Sequence, residues 1–232
     1  MAGVAVLLGS LVQGAAGFGL GLLAAPVVAL ADPGLVPVAL LVVTAVLPLL
    51  SVARERAHVD WRGVGWAVLG RLPGSALGAW TVAVLPAAAI GAGVAVVVLA
   101  GVAASVLRWR PRPTPRALLV GGFVSGVTGT ATSVGGPPVA LLYQHADGPR
   151  VRATLGAFFT VGIAVSLTLL AATGQVSSSD LLAGVLLLPA MALGFALSGP
   201  LRRVVDGGRT RPVVLSLAAA SSAVLLVRSV WG

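Results

Sequence analysis

The sequence predicts an all-α polytopic membrane protein, and its composition, its charge-free runs and an internal repeat all favour this fold class. The 232 residues are 58% hydrophobic and only 9% charged, whereas soluble globular domains carry about 25% charged residues. Seven long runs contain no acidic or basic residue. One of them, residues 72–107, is too long for a single crossing and is expected to turn at Leu85-Pro86-Ala87. The sequence therefore predicts eight membrane segments.

The charged and metal-ligating residues exclude several classes of protein. The chain has no cysteine and two histidines, so neither a metal site nor a cofactor is expected. All fifteen basic residues are arginine, and thirteen fall in four clusters between apolar runs. We interpret these clusters as signals of membrane topology and expect no nucleic-acid partner. The apolar amino terminus lacks a basic region and is too long for a signal peptide, so no cleavage is expected.

An internal repeat divides the chain into residues 1–110 and 117–232. At an offset of 112 residues, Gly9, Gly14, Gly17 and Pro26 align with Gly121, Gly126, Gly129 and Pro138. Further along, the offset grows to 116, which fits an inserted loop around Gly174 to Asp180.

The arginine clusters indicate how the two repeats are oriented. If all eight segments crossed the membrane, the clustered arginines would divide seven against six between its sides. If instead the first segment of each repeat, 1–31 and 117–144, is a broken re-entrant hairpin, all thirteen face one side. The positive-inside rule favours this second arrangement, in which the repeats are inverted. Inverted repeats with broken helices are typical of transporters.

The two predicted hairpins contain the candidate binding residues. Gly135-Gly136-Pro137-Pro138 should unwind a helix, and the amino termini of the resulting half-helices would attract an anion. The candidates in the first hairpin are Gln13, Gly14, Gly17 and Gly19. Those in the second are Ser125, Thr128, Gly129, Thr130, Ser133, Gly135, Gly136 and Pro137. The alternative is that the glycines only allow close helix packing and that the hydroxyls bond their own helix.

Arg71 is a further candidate because it lies well inside an apolar stretch, where it could pair with an anionic substrate. Two observations oppose this role: a long arginine side chain can reach the membrane surface, and the second repeat has Leu187 at the matching position. All six acidic residues lie at segment ends or in loops, which argues against a carboxylate proton relay. The coupling ion stays open, and sodium bound by unwound carbonyls is one alternative.

Several motifs resemble those of the TauE/SafE sulfite exporter family of membrane permeases. They are Gly14-x-x-Gly17-Phe18-Gly19, His58-Val59-Asp60-Trp61, Leu72-Pro73-Gly74 with Leu77-Gly78, and Gly122-Phe123-Val124-Ser125-Gly126 continuing to Gly135-Gly136-Pro137-Pro138. The resemblance covers nearly the whole chain and implies transport, usually outward, of small anions such as sulfite or organosulfonates.

The leading hypothesis is therefore an anion permease that is not an enzyme, with its substrate held between the two broken hairpins. The expected location is the bacterial inner membrane, with the arginine-rich loops in the cytoplasm. A passive anion channel is the main alternative, and a membrane-embedded enzyme or assembly factor is a weaker one. The sequence leaves a homo-oligomer open.

Overall fold

The computed structural model describes the backbone of residues 1–106 and 112–205, and every regular element within these ranges is helical. The α-helices are α1 Ala2–Ala16, α2 Leu20–Ala31, α3 Val38–Glu55, α4 Trp61–Val84, α5 Ala87–Val106, α6 Pro115–Thr132, α7 Gly136–Tyr143, α8 Gly148–Ala172 and α9 Ser178–Val205. The predicted last segment, residues 212–227, lies outside the described residues. So do Arg108, Arg110, Arg209, Arg211 and Arg228.

The first predicted break separates α1 from α2. Gly17 ends α1 with φ 89° and Gly19 precedes α2 with φ 130°, a left-handed backbone that glycine adopts without steric cost. A methyl group added to Gly9 would lie 3.0 Å from the Cα of Leu20, which shows that the chain folds back at this break and that α2 begins against α1. Helices of 15 and 12 residues measure about 22 and 18 Å, so neither alone spans a hydrocarbon core of about 30 Å.

The second predicted break separates α6 from α7 at Ser133-Val134-Gly135. Ser133 has φ 60°, and prolines occupy the first turn of α7, where a missing amide donor is tolerated. A methyl group on Gly121 would lie 3.1 Å from Cδ1 of Leu142, so α7 also folds back along its partner helix. Both breaks that the glycines and prolines predict are therefore present. The predicted turn at Pro86, between α4 and α5, is present as well.

Three of the described helical stretches are long and apolar enough to cross a membrane: Val38–His58, Gly148–Ala172 and Ser178–Pro200. The helices α1 and α2 are apolar but shorter. This confirms a membrane-embedded helical protein, whereas the number of eight segments stays a prediction.

Glycines allow the tightest helix contacts. Along α4, three glycines spaced four residues apart face backbone carbonyls of α6; they are Gly70, Gly74 and Gly78. Such small residues let two helix backbones approach closely in a membrane. α1 packs against α9 in a similar way, and α3 packs against α8. α8 also contacts α4, as α9 contacts α3.

Two arginine clusters meet at one end of the helix bundle. Arg150 Nη2 lies 3.2 Å from Asp60 Oδ2, and Arg152 Nη2 lies 2.9 Å from Glu55 Oε1. The motif His58-Val59-Asp60-Trp61 lies at this end and leads into α4. Asp60 caps α4 by accepting from the Gly63 amide at 2.9 Å, while the Trp61 side chain is exposed.

The description of the clusters as loop arginines needs a correction. Arg54, Arg62, Arg150 and Arg152 all lie in terminal turns of helices. α9 likewise continues through Arg202 and Arg203 to Val205. A long helix continues past the apolar core, so its last turns carry the polar side chains that belong at the membrane surface.

Candidate substrate site

A cavity of about 40 Å³ lies where the two helix breaks meet. One buried water needs roughly 10–15 Å³ on this scale, so the space suits a small solute. The tips of the hairpins are in direct contact, because a methyl group on Gly136 would lie 3.3 Å from Cβ of Phe18. The lining residues are Gln13, Phe18, Gly19, Gly21, Leu22, Leu41, Thr44, Arg71, Gly129, Ser133, Val134, Gly135, Gly136, Phe159 and Ile163.

Arg71 supplies the only charge among these lining residues. Arg71 lies ten residues after the start of α4, about 15 Å along the helix. It is buried, with 2% of its surface exposed. Two glycines, Gly129 on α6 and Gly162 on α8, leave space for its guanidinium: a methyl on Gly129 would lie 3.1 Å from Nη2, and one on Gly162 would overlap Nε. The alternative that Arg71 reaches the membrane surface is wrong.

The Arg71 guanidinium is held by hydroxyl groups and an aromatic ring. Nη1 donates to Ser125 Oγ at 3.1 Å, and Nη2 donates to Ser166 Oγ at 3.4 Å. Its central carbon lies 5.0 Å from the centre of the Phe158 ring. A guanidinium has five N–H donors. Within the part of the chain that the structure describes, these two are engaged and Nε–H has no partner. No carboxylate of the described residues forms an ion pair with Arg71.

The structure brings together about half of the predicted binding residues around the cavity. They are Gln13, Gly19, Arg71, Gly129, Ser133, Gly135 and Gly136. Ser125 and Thr130 lie behind Arg71: Ser125 contacts it directly, and Thr130 Oγ1 lies 2.7 Å from Ser166 Oγ.

The remaining candidates do not line the cavity. Gly14 packs against Phe195 and Ser198 of α9, and Gly17 packs against Arg152. Thr128 donates to a carbonyl of its own helix, Val124 O at 3.0 Å. Pro137 is buried in the first turn of α7. Gly14 and Thr128 therefore make the contacts that the packing and own-helix alternatives describe.

Two lining residues stabilise the helix breaks. Gln13 Oε1 accepts a hydrogen bond from the Leu20 amide at 3.1 Å, which satisfies one free donor at the start of α2. Ser133 Oγ donates to Pro37 O at 2.8 Å and so joins the second hairpin to the chain just before α3. Gln13 and Ser133 therefore each form a hydrogen bond at a helix break, beside the cavity.

Sequence reasoning missed several residues of the site. The apolar wall formed by Leu41, Phe159 and Ile163 gives no sequence signal, because 58% of the residues in this chain are hydrophobic. Thr44 and Ser166 are polar residues inside apolar runs, which is a signal that could have been used. In the structure Thr44 lines the cavity and Ser166 contacts Arg71.

Comparisons with known proteins agree on one family. A family model described as "Sulfite exporter TauE/SafE" matches residues 1–225. The chain is 28% identical over 247 residues to a Cupriavidus necator protein named "Probable sulfite/organosulfonate exporter TauE", an alignment that covers 96% of this chain and 91% of that protein. No solved structure gives a significant match.

Proposed function

We propose that this chain exports a small anion such as sulfite or an organosulfonate through the cavity beside Arg71. The chain belongs to the TauE/SafE sulfite exporter family and is therefore a membrane transporter. The Cupriavidus necator relative is named for both substrates. The cavity lies between the two helix breaks, the position where transporters with broken helices bind their substrates.

The buried charge of Arg71 is the observation that supports this site. A buried cation without a partner is strongly unfavourable, so such groups are normally paired. Arg71 has no carboxylate partner among the described residues and keeps three N–H groups unengaged. An anion in the cavity would supply the missing negative charge and accept those hydrogen bonds.

The two half-helices add a second source of positive potential. α2 begins after Gly19 and α7 begins at Gly136, and both glycines line the cavity. The amino end of a helix carries a partial positive charge, which stabilises an anion without a further charged side chain. Free amides contribute less at α7 than at α2, because Pro137 and Pro138 have no N–H.

We also assign the two sequence halves, 1–110 and 117–232, to inverted repeats, each with a re-entrant hairpin. In this assignment α1 corresponds to α6, α3 to α8 and α4 to α9. The α4–α6 contact then corresponds to α9–α1 and the α4–α8 contact to α9–α3, and all four contacts occur. The ion pairs between residues 55–60 and 150–152 fit a hairpin that does not cross the membrane. The positive-inside rule assigns this end to the cytoplasm of a bacterial inner membrane.

The test of the site is the Arg71→Gln variant reconstituted in proteoliposomes, assayed with sulfite and with ethanesulfonate. A hydrogen bond to a charged group contributes about 1.5–3 kcal/mol, so we expect at least a tenfold loss of affinity. Anion-dependent thermal stabilisation should disappear. The empty variant should melt no lower than the empty wild type, because it lacks a buried unpaired charge. Arg150→Gln is the matched control, since the Arg150 side chain is 53% exposed.

Normal anion affinity in Arg71→Gln would overturn the site. Saturable flux with counterflow distinguishes a carrier from the passive channel, whose flux would not saturate at millimolar anion. This comparison needs only the wild-type protein.

The topology has an independent test because the chain contains no cysteine. Single cysteines at the exposed positions Ala57, His145 and Ser177 can be labelled with a membrane-impermeant maleimide. The re-entrant hairpin predicts that Ala57→Cys and His145→Cys react from one side and Ser177→Cys from the other. Labelling of the first two from opposite sides would refute it.

A further inference from the structure

The hydroxyl groups around Arg71 form a network that joins three helices. Arg71 belongs to α4, Ser125 to α6 and Ser166 to α8. We propose that Ser125 and Ser166 are positioning residues that orient the Arg71 guanidinium toward a bound anion and set the affinity of the site. This inference rests on the proposed function, because it requires Arg71 to bind the transported anion.

Ser125 forms a directional link between the arginine and the second helix break. Its hydroxyl donates its one proton to the carbonyl oxygen of Gly135, so its lone pairs are free to accept from Arg71 Nη1 at 3.1 Å. The order of donation is therefore Arg71, Ser125, Gly135. Ser125 itself is fully buried and does not line the cavity.

The same link affects how the break presents its charge to the cavity. Gly135 lines the cavity, and a carbonyl oxygen there would repel an anion. The Ser125 hydroxyl engages that oxygen, which lowers the negative potential beside the site. Without Ser125, the break would gain an unsatisfied acceptor, and the guanidinium would lose one of its two anchors.

Ser166 holds the other side of the guanidinium. Its oxygen accepts from Arg71 Nη2 at 3.4 Å, it lies 2.7 Å from Thr130 Oγ1, and its hydroxyl is 2.9 Å from the Gly162 carbonyl. When Ser166 donates to Gly162, the Thr130 hydroxyl can donate to Ser166. Thr130 then acts on the partner of Arg71, which differs from the direct substrate contact that the sequence predicts for it.

Two anchors from different helices fix the plane of the guanidinium. The Phe158 ring lies 5.0 Å from its central carbon and limits rotation out of that plane. The N–H groups without a protein partner keep one orientation, and the site is organised before the anion arrives. Preorganisation of this kind raises affinity by lowering the cost of ordering on binding.

The experiment measures KM and maximal flux for sulfite in proteoliposomes of Ser125→Ala and Ser166→Ala. We expect KM to rise about tenfold, the effect of one hydrogen bond to a charged group, with maximal flux within about twofold. Ser75→Ala and Ser10→Ala are matched controls, because both serines are fully buried and their hydroxyls have no partner among the described residues. Ser75 also lies one helical turn from Arg71. Both controls should keep the wild-type KM.

A second background separates positioning from general packing. In Arg71→Lys the charge remains but the planar fork is lost, so the serine substitutions should change KM by less than twofold. The positioning role would be refuted if the serine substitutions raised KM equally in the wild-type protein and in Arg71→Lys. A tenfold rise in KM for Ser75→Ala would also refute it. The thermal-shift response to sulfite provides the same comparison in detergent if a variant reconstitutes poorly.

The two proposals fail in different ways. If Arg71→Gln keeps normal affinity, the anion site itself is wrong. If Arg71→Gln loses affinity while both serine variants keep the wild-type KM, the site stands and only the positioning network is overturned.

Discussion

The buried ion pair at the arginine-rich end should contribute far more stability than its exposed neighbour. Arg152 Nε lies 3.1 Å from both Glu55 oxygens, and Nη1 donates to Ala15 O at 3.3 Å. The side chains of Arg152 and Glu55 are 7% and 13% exposed. In contrast, Arg150 is 53% exposed and Asp60 is 20% exposed. Matched substitutions, Arg152→Gln and Arg150→Gln, compare the two pairs within one turn of α8.

Removal of one partner from a buried pair costs about 3–5 kcal/mol, and the partial exposure of Glu55 reduces this to about 2–4 kcal/mol. For a chain of this size, that range corresponds to a fall in melting temperature of roughly 4–16 °C. An exposed pair contributes about 0–1 kcal/mol, so Arg150→Gln should shift melting by roughly 4 °C or less. The assay is thermal melting in one detergent at neutral pH and fixed salt.

Equal shifts in the two variants would refute this reasoning. A double-mutant cycle that adds Glu55→Gln provides the second check. If the pair acts as a unit, the double variant should be much less destabilised than the sum of the two single variants. Strict additivity would mean that Arg152 stabilises the protein through other contacts.

Two further predictions concern Arg71 and Asp60. Gly162→Ala should lower sulfite affinity at least tenfold, because its methyl group would clash with Arg71 Nε and displace the guanidinium. Gly65→Ala, with open space around it, should keep affinity and gain about 0.5–1 kcal/mol of helix stability. Burial raises the pKa of Asp60, but hydrogen bonds from Gly63, Tyr143 and Arg150 outweigh it and hold that pKa below its ordinary value of 3.8. A carboxyl group with a lowered pKa stabilises the fold at pH values above its ordinary pKa. The melting temperature should therefore fall as the pH drops below about 4. Asp60→Asn should weaken that pH dependence.

The helix breaks could be predicted from the sequence because their causes are local. Gly17 and Gly19 have positive φ at the first break, and glycines and prolines follow each other at the second. These residues act on their own backbone, so no knowledge of distant contacts is needed. The hairpin tips therefore lie where the glycine and proline pattern predicts them.

The contacts of the arginines could not be predicted in the same way. Arg71 is 54 residues from Ser125 and 95 residues from Ser166, and only the packing of α4 against α6 and α8 brings them together. The same limit applies to Arg152. Its position beside an apolar run indicates topology, but 97 residues separate it from Glu55, whose carboxylate gives it a structural role.

The repeat itself explains why Arg71 was hard to assign. Comparison of the halves predicts shared backbone features, and Leu187 opposite Arg71 argues against a charged residue in the site. In the structure Leu187 packs against an apolar cluster, while Gly129 and Gly162 leave space for the guanidinium on the other side. These two glycines lie within residues 117–232 and the charge lies within residues 1–110, so neither half alone contains both parts of the proposed site. Internal symmetry is therefore informative about helix breaks and packing, whereas the binding chemistry depends on the positions where the two halves differ.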